Sequence, residues 1–200
     1  MVKVKIYAEG GGDGQLLDTL FRQGWTEFFK KAGLTGKMPS VVRGKGRRRT
    51  FDLFKTAITN PKADELPILL VDSEDPVKAG HTVWQHLKER DDWDKPTGAD
   101  DNHAFLMVQV METWFIADRE MLKTYFKSDF KDDKIPQWPK LESVTKQAIY
   151  DALDKATAEC KTKKYTKGKI SFEMLALLDP NKVEAACPAA IRLLDRLRAI

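Results

Sequence analysis

The chain is poor in soft metal ligands. Two cysteines and three histidines are spread over 200 residues, and neither Cys160 and Cys187 nor His81, His86 and His103 stand at the spacings of a zinc site. So few thiols exclude a disulfide framework and point to a reducing compartment in which both stay free and inert. No apolar run approaches the roughly 20 residues of a membrane span, and the N-terminus enters a strand without a basic n-region and apolar h-region. The expectation is a soluble, cytoplasmic protein without membrane contact. The Gly-Lys-Ser/Thr of a P-loop is missing, and the glycines near the N-terminus do not match the dinucleotide fingerprint, which argues against ATP hydrolysis by this chain.

What remains is ample for one domain, since 200 residues bury a core without disulfides. The net charge of +4 is modest but unevenly placed. Arg43, Lys45, Arg47, Arg48 and Arg49 crowd one segment, with Lys37 and Lys55 at its flanks and Asp52 as its one acid. A second basic stretch runs through residues 155 to 169, and an acidic stretch from Asp91 to Asp101. Lysines often only solvate a helix or loop, and the second stretch suits that reading. The first, beside acids at strand ends, fits a polyanionic substrate met through a metal.

Residues 2 to 8 alternate Val2, Val4 and Ile6 with polar neighbours, as a half-covered strand does. Leu16, Leu17, Leu20, Phe21, Trp25, Phe28 and Phe29 then recur at helical spacing over Gln15 to Lys31, and Gly33 is a natural stop. A short strand near Pro39 to Arg43 precedes a helix expected from about Thr50, a plausible N-cap, to Thr59. Pro67 to Asp72 is continuously apolar, like a central parallel strand. His81 to Arg90 reads as a helix, Ala104 to Val110 as a fourth strand, and a helix starts near Glu112. Trp84, Trp93, Trp114 and Trp138 read as packing anchors. After residue 124 only helices are expected, near 143–160, 170–178, 180–186 and 188–198. The fold class is therefore α/β, an open, mainly parallel four-stranded sheet flanked by helices over residues 1–123, with a C-terminal helical lobe over 124–200 packed on it.

Two apolar strands end on acids: the first on Glu9, followed by Gly10-Gly11-Gly12-Asp13, the third on Asp72-Ser73-Glu74-Asp75. In an open α/β sheet, ligands bind beyond the carboxyl ends of the strands. A hard cation such as Mg²⁺ or Mn²⁺ takes a few carboxylates from such ends and keeps several waters. Glu9, Asp72 and Glu74 are the first candidates. Alternation along an extended segment turns Asp72 and Glu74 the same way. Asp75 is a candidate for a second ion or for a bond to its own loop, Asp13 for a supplement to Glu9 or a helix-terminus charge, and Glu112 for a further ligand. Asp118 reads as a cap or surface acid. The glycine run can cradle a phosphate on backbone amides.

Glu9-Gly10-Gly11 after the first strand and Asp72-Ser73-Glu74 after the third, in that order, resemble the Toprim domain of topoisomerases, primases and overcoming-lysogenization-defect nucleases. Together with Met111-Glu112-Thr113-Trp114-Phe115-Ile116-Ala117-Asp118 and Lys167-Gly168-Lys169-Ile170-Ser171-Phe172, they resemble a bacterial Toprim-like family of unassigned function over nearly the whole chain. The resemblance implies Mg²⁺-dependent cleavage of nucleic-acid phosphodiesters, with Glu9 as general base or ligand and Asp72 and Glu74 as ligands. Arg43, Lys45, Arg47, Arg48, Arg49 and Lys169 are the candidate phosphate contacts. It also implies an ATPase partner of the ABC or SMC-like type, as in phage-defence cassettes; a homo-oligomer is compatible with it. Many Toprim domains carry Asp where this chain has Glu74, one methylene longer. That departure motivates the alternative, a non-catalytic module that senses nucleic acid or docks on an ATPase.

Overall fold

A computed structural model describes residues 2–200. Four parallel strands, β1 (Lys3–Ala8), β2 (Ser40–Arg43), β3 (Glu65–Asp72) and β4 (Ala104–Met107), lie in the order β2-β1-β3-β4. The α/β expectation is met. Between successive strands run α1 (Gln15–Lys31), α2 (Arg47–Thr59) and α3 (Val83–Asp91). The connection from β1 leads to one side of it and the one from β2 to the other, so chain direction diverges between β1 and β3.

Alternation along the strands sorts the side chains into two apolar layers. Ile6, Ala8, Ile68, Leu70, Phe105 and Met107 face α1 and the C-terminal helices. Tyr7, Leu69, Val71, Leu106 and Val108 face α2 and α3, where Phe54 and Trp84 stack. From Ile68 to Val71 every side chain is fully buried, which accounts for the unbroken apolar run of the central strand. Large buried aromatics knit the first layer: Trp25 stacks on Phe29 and meets Trp114 and Phe28 edge-on.

The C-terminal helices are α4 (Glu112–Ala117), α5 (Arg119–Phe126), α6 (Lys146–Thr157), α7 (Lys169–Leu177), α8 (Pro180–Ala186) and α9 (Pro188–Ala199). They share one continuous apolar cluster with the sheet, so the expected lobe is a layer of the same core. Gly24 makes the closest join. A Cβ there would lie 2.8 Å from the Phe172 carbonyl oxygen, so glycine lets α1 approach α7.

Two boundaries differ from expectation. The second helix starts at Arg47, and Thr50 is no cap: it lies within the first turn, its hydroxyl donating to the Gly46 carbonyl at 2.7 Å. Arginines are good helix formers and extend the helix backwards as far as Gly46. β4 stops at Met107, where the Ser73 amide makes its bond to the Met107 carbonyl and the chain turns away. Asp118 is a cap, as one reading held, but a buried one; it accepts from the amides of Met121 and Asp179 and pairs with Lys182. Among the described residues no helix is long and apolar enough to cross a membrane.

Candidate functional site

A cavity of about 600 Å³ opens at the carboxyl ends of β1, β3 and β4, at the place where the chain direction diverges. Glu9, Asp72, Glu74 and Glu112 all line it, with the glycines 10 to 12 on one wall and Lys167, Lys169 and Ser171 on the other. The acids reach it by different routes. Glu9 follows β1, its amide still donating to the Leu70 carbonyl at 3.1 Å. Asp72 closes β3 and is tied to the start of α4 by the Met111 amide, 2.9 Å from Oδ1. Glu112 opens α4 and is 4% exposed.

Glu74 reaches the cavity for a reason alternation did not foresee. The chain leaves the strand at Asp72 and Glu74 adopts φ 66°, a left-handed conformation held by its amide donating to the Gln109 carbonyl at 2.8 Å. That turn costs roughly 1–3 kcal/mol for a non-glycine residue, and such strain clusters at functional sites.

Electrostatically the cluster is crowded. Burial, opposed by Arg47 and reinforced by Glu74, raises the Glu9 carboxyl above its ordinary range. Burial together with Glu112, Glu9 and Glu74 raises Asp72 well above its own. Glu112 is raised by burial, against the hydrogen bond it accepts from the Tyr165 hydroxyl. Tyr165 is also 3.3 Å from the Ser171 hydroxyl.

Arg47 sits inside this cluster. Its guanidinium forks onto Asp91 at 2.8 and 2.6 Å, reaches Glu9 at 3.3 Å and donates to the Asp72 carbonyl at 2.5 Å, with its face over Trp93. Against burial, which raises it, Arg47 holds Asp91 below the usual carboxylate range. Lys146 pairs with Glu74.

The arginine-rich segment is therefore not the phosphate-facing row that was expected. Arg43 is buried, bonded to Asp18 at 2.9 Å and to the Gly11 carbonyl at 3.2 Å, and it braces the glycine loop. Lys45 stands near Asp13 and Asp18, and Arg48 pairs with Asp52. Arg49 alone of the segment is exposed without an ion pair among the described residues. Lys169, the remaining expected contact, does line the cavity. Two expected ligands stand outside it: Asp13 points to solvent, and Asp75 is exposed and accepts from Arg90 at 3.1 Å. Solvation near the helix terminus, the plainer reading of Asp13, is what the structure holds, whereas the Asp75 carboxylate bonds Arg90 of α3 instead of its own loop.

Lys146, Tyr165, Ser171 and Lys167 were not singled out as site residues. They come from the C-terminal helices and loops, more than 70 residues from Asp72, and only Lys167 and Ser171 carried a signal, as parts of a quoted motif. Tyr165 had none.

As they stand, no three His, Cys, Asp or Glu among the described residues converge tightly enough to hold an ion. In kind, the donors fit one. Three carboxylates of one cavity raise the cost of their own charges, no thiolate or imidazole lines the cavity among the described residues, and hard oxygen ligands suit Mg²⁺ or Mn²⁺. Glu9, Asp72 and Glu74 are the residues that would hold it, exchanging the Arg47 and Lys146 ion pairs for metal bonds.

Residues 8–198 match the model of a family described as a domain of unknown function (DUF4276). No curated protein and no solved structure matches the chain.

Proposed function

The chain belongs to the DUF4276 family, and from its cavity we propose that it is a Toprim-type hydrolase of nucleic-acid phosphodiesters that works with Mg²⁺ or Mn²⁺. The observation that carries this is the convergence of Glu9, Asp72, Glu74 and Glu112 on one cavity at the sheet's divergence point, faced by Lys167 and Lys169.

A bound divalent ion would supply Lewis-acid polarisation of the phosphate and a more acidic water. The chain's own groups do the rest. Glu9, whose carboxyl is raised above its ordinary range by burial, is the group placed to take the proton of the attacking water or to share the ion. Lys167 and Lys169 attract and position the phosphate. Tyr165, itself in contact with Ser171, donates to Glu112 and holds it in the cavity wall. An ATPase partner of the ABC or SMC-like type, and a role in phage defence, enter the proposal through the sequence resemblance.

The test is cleavage of duplex DNA, single-stranded DNA and RNA in Mg²⁺ and in Mn²⁺, with the ATPase partner added in a parallel series. Wild-type protein is expected to cut at least one of these, and Glu9→Gln and Asp72→Asn to cut none. Cleavage surviving both substitutions refutes the reading.

One observation favours a second reading, a non-catalytic module: Glu9 and Glu74 are already neutralised by Arg47 and Lys146. On that reading calorimetry finds no Mg²⁺ uptake, and substitutions of the acids leave the biological readout intact.

A further inference from the structure

A fold requires glycine where φ is positive or where a Cβ would strike a neighbour; the remaining reason for one is the close approach of a ligand to the backbone. Eight of the twelve glycines take a positive φ. Gly10, Gly24 and Gly44 each have an atom within 3.0 Å of where a Cβ would stand. Gly11 alone meets neither condition: its φ lies outside the left-handed region, and nothing among the described residues is within 4 Å of its Cβ position. It is exposed, and it lines the acid cavity. The peptide that follows it is held in one orientation. Arg43 donates to the Gly11 carbonyl at 3.2 Å, so the Gly12 N–H, on the other side of the same trans peptide plane, points away from Arg43. The amides of Gly11 and Gly12 donate to no group among the described residues. On the facing wall Lys167 is exposed, and among the described residues it has no carboxylate partner; its ammonium lies 4.2 Å over the Tyr150 ring. The two walls meet at Leu17, whose methyls lie 2.8 Å from a Cβ position at Gly12 and 3.9 Å from one at Gly168. Between them Met107, Glu112, Ser171 and Phe172 form a buried floor.

We propose that the substrate of this site is a single strand of nucleic acid, whose phosphate next to the scissile one lies at the mouth on the Gly11 and Gly12 amides and the Lys167 ammonium. The inference rests on the reading of the acids as a metal-dependent hydrolytic site and names the form of nucleic acid that enters it. The half-buried and buried acids that would face a cation line the cavity, while free N–H donors and an unpaired positive charge stand exposed at its rim. Two successive phosphates therefore meet an ion and then a set of donors, each of the sign a phosphate needs. A single strand can follow that order. A duplex cannot enter, because a cavity of about 600 Å³ is of the size that takes a small molecule, and the major groove of a duplex is by itself about 12 Å wide. The missing Cβ at Gly11 leaves the phosphate oxygens room to come within hydrogen-bond distance of the amides.

The experiment titrates the intact protein into fluorescein-labelled single strands of DNA and RNA of about 12 nucleotides, and into the blunt DNA duplex, at fixed salt with Ca²⁺, and reads anisotropy. Cleavage of the same strands is then scored in Mg²⁺ and in Mn²⁺. Wild type is compared with Gly11→Val and Lys167→Ala. Gly11→Val adds its methyls in open space and should melt with wild type; if it does not fold, Gly11→Ala takes its place. The expected result is a single strand bound at least tenfold more tightly than the duplex, at least tenfold weaker binding by Gly11→Val at an unchanged Tm, and a salt-dependence slope lower by about one for Lys167→Ala. The inference is overturned by a duplex bound as tightly as the single strand, by a Gly11→Val variant that binds like wild type, or by a nucleoside monophosphate that competes as well as the strand itself. Binding of a single strand that depends on Gly11, without cleavage, supports the subsite and refutes the hydrolase. Cleavage that Gly11→Val performs as well as wild type supports the hydrolase and overturns the subsite. Absence of binding to every nucleic acid overturns both.

Discussion

Replacing Arg47 by Met keeps most of the aliphatic stem and removes the guanidinium from a place where it serves three acceptors. Asp91 loses two hydrogen bonds, Glu9 an ion pair and the Asp72 carbonyl its donor. The side chains of Arg47 and Asp91 are 15% and 9% exposed, so this is a buried pair, and breaking one from one side costs about 3–5 kcal/mol. Arg90 still reaches Asp91 at 2.5 Å, which places the cost near the low end, about 3 kcal/mol. For a chain of this size that is a fall in Tm of about 6–12 °C, measured by circular dichroism at pH 7. The sign with pH follows from Asp91. Its carboxyl is held below the ordinary range in the folded state, so the pair's contribution is full above the unfolded value of about 3.9 and fades as pH falls through the folded one. The Tm gap between wild type and variant is therefore widest near neutral pH and narrows as pH falls, because in the variant neither Glu9 nor Asp91 is held down by Arg47 and both take up protons earlier. A gap under 2 °C at pH 7, or one that widens in acid, would refute the account of Arg47 as the cation that holds the acid cluster together.

Asp72→Asn keeps an acceptor for the Met111 amide and removes a charge that its surroundings oppose. The metal-free variant is expected to be more stable than wild type by about 0.5–2 kcal/mol at pH 7, a function-for-stability exchange. Because Asp72 is raised in the folded state, wild type gains on the variant as pH falls through that raised value toward the unfolded one. Adding Mg²⁺ should raise the wild-type Tm alone, by the equivalent of about 2.7 kcal/mol at a hundredfold excess over Kd; equal shifts in both proteins would contradict the ligand assignment. Tyr165→Phe strips the buried Glu112 of its hydroxyl donor and should cost about 1–3 kcal/mol in urea unfolding; a neutral result would mean the bond is not formed. Lys167→Ala should weaken nucleic-acid binding across sequences and lower the salt-dependence slope by about one, whereas an unchanged slope would remove Lys167 from the phosphate path.

The layered fold was legible because its signals are local. The helix from Gln15 to Lys31 announces itself by seven apolar residues at three- and four-residue spacing, and the structure has it over those residues. The buried central strand is visible as an unbroken apolar run, and Glu9 and Asp72 stand out because each ends such a strand. The arginine-rich segment shows where local reading stops. Five basic residues in a row of seven look alike on paper, yet Arg43 braces a glycine loop, Arg47 sits among carboxylates and, among the described residues, only Arg49 is left unpaired toward solvent. Their fates depend on partners at Asp18, Asp91 and Glu9, which no periodicity links to them.

The amino-acid order alone determined the α/β class and the strand ends that carry acid, Glu9 and Asp72, since apolar periodicity and chain direction are properties of neighbouring residues. Tertiary structure decided the rest. It brought Glu112 and Lys167 to the same cavity, set Lys146 and Tyr165 against its acids, sent Asp13 and Asp75 out of it, and placed Glu74 there through a left-handed turn. These outcomes rest on contacts between residues tens of positions apart, and such contacts are selected by packing and by the need to pair every buried charge and amide.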